Sequence, residues 1–317
     1  MNKVGFIYDD IFLSHEMPSG HPESPQRLIK IVDALKNSPL WENLVHIRPR
    51  RANREDILKV HTKDYFDKVK TFIGYYDPDT YISKKSFEAA LFAAGAVIEA
   101  IEKCHTGEIE RAFCAVRPPG HHAEINRAMG FCIFNNIAVG ARYAQAIGYK
   151  KVFIIDFDVH HGNGTQHIFE DDDSVFYFST HQYPHYPGTG LKQEQGTHKG
   201  TGFTYNIPLQ SGADDKYFFS IYHDTLPSIV KTFNPDIILA SAGYDIHVKD
   251  PLSDIHVSNK GIRTIAGGIL ACTRIPDSDP LPCIFSLEGG YNLTALSESV
   301  LITISEMLGN KLQCTIP

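Results

Sequence analysis

Short apolar runs punctuate the chain: VGFIY from Val4, AFCAV from Ala112, KVFIID from Lys151, SVFYFS from Ser174, FTYNIP from Phe203, DIILAS from Asp236 and CIFSLE from Cys283. Most are continuously apolar rather than alternating, the pattern of strands buried on both faces of a parallel sheet. Between most of them lie stretches of helical character: ESPQRLIKIVDALKN from Glu23, SFEAALFAAGAVIEAIEKC from Ser86, DDKYFFSIYHDTLPSIVKTF from Asp214 and NKGIRTIAGGILACT from Asn259. Strands alternating with helices predict an α/β fold whose mostly parallel sheet is covered on both sides. Ser24 before Pro25 predicts a helix start, with serine as N-cap and proline at the first helical position.

The chain has 317 residues and no repeat, heptad or low-complexity linker, so one domain over 1–317 is expected. Its formal net charge of -7 leaves no global positive field for nucleic acid. The basic stretch RPRRANR, Arg48 to Arg54, reads as a solvated loop, and Asp171 to Asp173 as a solvated turn rather than a cation site. The six cysteines, Cys104, Cys114, Cys132, Cys272, Cys283 and Cys314, form no C-x-x-C pair and several sit in apolar runs, which predicts buried free thiols in a reducing compartment. The opening MNKVGFIYDD has no long apolar segment or cleavage site, and the other apolar runs are too short or interrupted to cross a bilayer. A soluble, intracellular, cytoplasmic protein with no membrane or direct nucleic-acid partner is expected; the pattern fixes no oligomeric state.

In open α/β sheets ligands lie beyond the carboxyl ends of the strands. There the chain carries RPPGHHAE after AFCAV, DFDVHHGNG after KVFII, AGYDIHVKDPLSD after DIILAS, and GGYNL after CIFSLE. Side chains two apart in an extended segment share a face, so Asp156, Asp158 and His160 point together. With Asp245 from another strand end, oxygen and imidazole donors suffice for a divalent cation. A catalytic zinc keeps three protein ligands and an open position, and Asp158, His160 and Asp245 are the candidates. His121 and His122 suit proton transfer near neutral pH. Tyr291, after two glycines, is placed to present a phenol to a polarised carbonyl.

These residues give the chain a marked similarity to the zinc-dependent histone deacetylases, a family that includes acetylpolyamine amidohydrolases and acetoin-utilisation proteins. The similarity runs from HPESPQRL at His21 through RPPGHH, GFCIFNN, DFDVHHGNGTQ, YPGTG, AGYD and EGGYNL. It implies an arginase/deacetylase fold with a central, mostly parallel sheet of about eight strands. It implies Zn2+ on Asp158, His160 and Asp245, with Fe2+ as an alternative ion, and His121 and His122 as the catalytic pair. Asp156 would orient His121 and Asn163 would face His122, the asparagine placing the chain with the class II branch. A neutral amide would not raise the basicity of its histidine as a carboxylate does, so His122 is the better general base. The resemblance further implies K+ held by Asp156, Asp158, His160, Ser179 and Thr180. A substrate tunnel would be walled by Gly130, Phe131 and Tyr186, with Leu252 at its mouth and Asp79 at the rim.

A ureohydrolase such as arginase shares this general fold, but its second metal needs carboxylates where this chain has Gly162 and His247. A non-catalytic binding module should have lost a ligand, a histidine or the tyrosine, and none is missing. Leu252 stands where polyamine-specific members tend to place an acidic gatekeeper, which favours acetylated lysine in proteins or peptides as the substrate. Asp250 and Asp254 flank it, so small acetylated polyamines stay open as the alternative.

Overall fold

The computed structural model describes residues 3–274 and 279–309; Cys314, one of the expected thiols, lies outside them. The strands are β1 (Val4–Ile7), β2 (Leu44–Ile47), the hairpin β3 (Gly74–Tyr75) and β4 (Tyr81–Ile82), β5 (Arg111–Cys114), β6 (Val152–Asp156), β7 (Val175–Gln182), β8 (Thr204–Leu209), β9 (Ile237–Ala242) and β10 (Cys283–Leu287). Eight of them form one sheet in the order β2-β1-β5-β10-β9-β6-β7-β8, and every neighbouring pair is parallel. β5, β6, β9 and β10 are buried along their whole length, as their unbroken apolar character requires.

The helices are α1 (Gln26–Lys36), α2 (Arg54–Leu58), α3 (Lys63–Thr71), α4 (Ser86–His105), α5 (Asn136–Ala146), α6 (Asn163–Phe169), α7 (Asp215–Ser220), α8 (Leu226–Phe233), α9 (Asn259–Ala271) and α10 (Leu293–Leu308). The stretch expected to be helical over Asp214 to Phe233 is helical from Asp215 to Phe233, with a π-helical turn at Ile221–Thr225 between α7 and α8. Pro227, which has no N–H to give to the preceding turn, follows that widened turn in the first turn of α8. One expectation is corrected. Helix α1 starts one residue later than Ser24-Pro25 suggests: Pro25 is its N-cap and no side chain caps it, while the Ser24 carbonyl accepts from the Arg27 N–H (3.1 Å).

The basic loop is matched by acids, with Arg50 on Asp56 (2.9 Å), Arg51 on Glu88 (2.8 Å) and Arg54 near Asp67 (3.7 Å). Within Asp171 to Asp173, Asp171 is exposed and Asp172 pairs with Arg142 (2.5 Å). Cys104, Cys114, Cys132 and Cys283 are buried free thiols and Cys272 is half-buried. No helix among the described residues is long and apolar enough to cross a membrane.

Candidate active site

β5, β10, β9 and β6 are consecutive neighbours in the sheet, so their carboxyl ends deliver four loops to one place. The β6 loop brings Asp158 and His160, and the β9 loop brings Asp245. One donor atom from each of these three lies within 4.8 Å of the others. Nδ1 of His160 is 3.1 Å from Oδ1 of Asp158 and 3.2 Å from Oδ2 of Asp245. Two buried carboxylates this close repel unless a cation is shared. Although burial opposes the imidazolium, Asp158 and Asp245 push the His160 pKa up to about 10. Oδ2 of Asp245 is buried with no hydrogen-bond partner. The remaining oxygens are satisfied: Oδ1 of Asp245 accepts from the Val159 N–H (3.0 Å) and Oδ2 of Asp158 from the Gly289 N–H (2.8 Å). A divalent ion fits this donor set, and the orphaned carboxylate oxygen is what it would complete.

The histidine pair follows β5, with ring centroids 4.0 Å apart. Nδ1 of His121 donates to Oδ2 of Asp156 (3.1 Å), which also accepts from the Tyr177 hydroxyl (3.1 Å). Nδ1 of His122 donates to Oδ1 of Asn163 (2.8 Å). The environments drive the two rings apart. Burial alone would lower His121, but Asp156 and Asp158 hold it up to about 10. Burial, with His121 and His160 nearby, pushes His122 well below its ordinary value. One is poised as a cation beside a neutral base.

A cavity of about 220 Å³ opens onto these groups, lined by Asp79, Pro119, His121, His122, Gly130, Phe131, His160, Tyr186, Leu252, Gly289 and Tyr291. Phe131 stands edge-on to Tyr291 (5.9 Å), and Tyr186 edge-on to His122 (5.2 Å). Gly130 is required: its φ is +57°, and a Cβ there would lie 2.3 Å from Cδ2 of His122. His185 stacks on His160 and its Nε2 donates to the Leu252 carbonyl (3.0 Å), tying the two sides of the mouth. At the rim, burial and neighbouring Asp77 raise Asp79 to about 6. Asp250 does not reach the mouth: it is buried and accepts from the N–H groups of Tyr291 (2.6 Å), Asn292 (3.0 Å) and Leu252 (3.1 Å). Asp254 is exposed and turned to Gln182.

At positions 162 and 247 the chain offers no carboxylate to a second metal beside the first. A Cβ on Gly162 would lie 2.1 Å from Oδ2 of Asp156, so a carboxylate at that position has no room. His247 accepts from the Lys249 N–H at Nδ1 (3.1 Å) and donates to Asn259 from Nε2 (3.1 Å). Asp156 and Ser179 face each other across the β6 and β7 register, with the Ser179 hydroxyl on His181 (2.9 Å) and that of Thr180 on Tyr222 (2.9 Å).

The pattern of the sequence did not reveal what lies beneath. Glu23, fully buried, binds Arg117 through both oxygens (2.5 and 2.7 Å) and Arg27 (3.1 Å). Arg27 in turn donates to the carbonyls of Gly290 (2.7 Å) and Glu288, and its guanidinium lies 5.1 Å from the Tyr291 ring. Glu288, raised to about 7 by burial, accepts from the N–H groups of Gly120 (2.6 Å) and His121 (3.2 Å). The turn that carries Tyr291 and the loop that carries the histidines are thus held from behind by one buried charge network. Glu288, a carboxylate directly after the buried strand β10, is a local sign of it.

Comparison with known proteins returns the histone deacetylase domain over residues 21–307. A protein of Archaeoglobus fulgidus named "Probable deacetylase" is 37% identical over 312 residues, covering 96% of this chain and 86% of its own. "Histone deacetylase 15" of Arabidopsis thaliana is 39% identical over 307 residues; the match covers 94% of this chain but 54% of that relative. "Histone deacetylase 14, chloroplastic" of the same plant is 38% identical over 320 residues, covering 94% and 75%. The crystal structure of the HDA15 HD domain superposes with a TM-score of 0.90 at 36% identity, covering 98% of this chain and 89% of that one.

Proposed function

The chain belongs to the histone deacetylase family and is a hydrolytic deacetylase, and from that premise we propose that it removes acetyl groups from lysine side-chain amines in proteins or peptides. The observation that carries this reading is the meeting of Asp158, His160 and Asp245 with His121, His122 and Tyr291 at one narrow cavity walled by Phe131 and Tyr186. Such a cavity suits an extended aliphatic chain ending in an amide.

Asp158, His160 and Asp245 would hold a divalent ion, zinc by donor set with ferrous iron as the alternative, which when bound polarises the acyl carbonyl and lowers the pKa of water. His122, neutral and with Nε2 unprotonated, takes the proton of the attacking water. The Tyr291 hydroxyl, kept protonated by burial, donates to the carbonyl oxygen as it gains charge. His121, held protonated against Asp156 and Asp158, delivers a proton to the leaving amine. Acetate and a free amine result. Asp156, Asp158, His160, Ser179 and Thr180 would form the K+ site.

Leu252 at the mouth offers no partner to a distal ammonium, and Asp250 and Asp254 are turned elsewhere, which supports lysine over polyamine substrates. The polyamine alternative keeps one supporting observation, the rim carboxylate of Asp79. We read residues 1–317 as one catalytic domain, and the buried free thiols as suited to a reducing cytoplasm. Titrating chelated protein with Zn2+ while following acetate release from an acetyl-lysine peptide tests the reading. Activity should saturate at about one ion per chain; absence of acetate, or saturation only at two ions, overturns it.

A further inference from the structure

Asn163 looks like a neutral partner for His122, but a carboxylate stands directly behind it. Nδ2 of Asn163 donates to Oε1 of Glu124 (2.5 Å), and the same oxygen accepts from Nδ1 of His167 (2.9 Å). The other contacts of Nδ2 are also acceptors, the His122 carbonyl (3.4 Å) and Sδ of Met129 (3.4 Å). An amide's two ends are told apart by the partners they meet. Reversing this one would set its oxygen against a carboxylate oxygen, a carbonyl and a thioether at once. Oδ1 therefore faces Nδ1 of His122, which must carry the proton of that 2.8 Å bond. The unprotonated nitrogen of the neutral ring is then Nε2.

We propose that Glu124 is a positioning residue for the hydrolysis: it locks the Asn163 amide, and through it holds His122 in the tautomer that leaves Nε2 free to take a proton. The inference rests on the reading of His122 as general base. Glu124 lines no part of the cavity and its side chain is largely buried, 14% exposed, so it acts without touching substrate. Its carboxylate oxygen meets the amide at Nδ2, while Oδ1 of the same amide faces His122. Charge placed there makes Oδ1 a stronger acceptor as the ring gains its second proton. The asparagine thus transmits part of what a carboxylate at position 163 would do directly.

Two substitutions separate the contributions. Glu124→Gln keeps an acceptor oxygen without the charge, and Glu124→Leu removes both. Glu124→Leu should lower kcat by about tenfold to a hundredfold with KM nearly unchanged, and Glu124→Gln should restore most of the loss. The readout independent of activity is the nitrogen-15 NMR signature of the His122 ring in the zinc-loaded enzyme. The Nδ1–H tautomer should be the one present in the wild type and in Glu124→Gln, and should mix with Nε2–H in Glu124→Leu. An Nε2–H ring in the wild type overturns the proposal, as does a folded Glu124→Leu enzyme with unchanged kcat and tautomer. If Glu124→Leu does not fold, as thermal unfolding would show, the wild-type tautomer still decides. A wild type that releases no acetate yet holds the Nδ1–H ring would refute the general-base reading while supporting the Glu124 lock.

Discussion

Replacing Glu23 by glutamine tests the buried network behind the active site. The substitution leaves size and shape nearly intact but strips the counter-charge from Arg27 and Arg117, both fully buried. Removing one partner of a buried ion pair costs about 3–5 kcal/mol, because the remaining charge cannot return to water. For 317 residues the entropy of unfolding is about 0.7 kcal/mol per kelvin, so Tm should fall by roughly 4–7 °C at pH 7. The pH dependence has a definite sign. Burial raises the Glu23 pKa, but Arg117 and the other partners outweigh it and hold the group well below its usual value. A depressed folded pKa means stability present above the unfolded carboxylate range and lost as pH falls through the folded value. The Tm gap between wild type and Glu23→Gln should therefore be full at neutral pH and close in acid. Because Arg27 also grips the carbonyls of Gly290 and Glu288 beneath Tyr291, kcat should fall by about tenfold. Calorimetry across pH with kinetics at pH 7 reads all three. A shift under about 2 °C, or a gap that does not change with pH, would refute the reasoning.

Tyr291→Phe removes one donor to the developing oxyanion, and kcat should drop by about a hundredfold to a thousandfold at constant KM in steady-state assays. Gly130→Ala pushes a methyl into the ring of His122 from a backbone at φ +57°, and turnover should fall by about a hundredfold, checked against a folded control by circular dichroism. Leu252→Glu places an acid at the mouth; at about 1 kcal/mol of charge attraction it should move the kcat/KM ratio about fivefold toward acetylated spermidine. Chelation should lower Tm by about 4 °C relative to protein saturated with Zn2+ at a hundredfold over Kd, and calorimetry with and without chelator measures it.

The sheet was legible because its buried strands are short unbroken apolar runs, a signal that survives without periodicity. Strand β2 was not, since Leu44–Ile47 is only four residues long, is interrupted by His46 and lies beside a polar loop. Helix α10 escaped for the opposite reason: it is buried on nearly all sides between α1 and α9, so no polar stripe marks it. The site could be read where ligands sit close together on one loop, as Asp156, Asp158 and His160 do. The Glu23, Arg27, Arg117 and Glu288 network could not, because its partners lie 94 or more residues apart except for Glu23 and Arg27 at the start of α1. Glu124 stands two residues after His122 and yet meets Asn163 only once α6 has packed against that loop. Polar groups satisfied by distant partners leave no local pattern.

The most direct measurement is kcat/KM of the zinc-loaded protein on an acetyl-lysine peptide beside acetylated putrescine and spermidine. A clear preference for the peptide is expected, since the mouth holds Leu252 and the acids beside it are turned away. A preference for the polyamines would contradict it and move the enzyme into small-molecule metabolism.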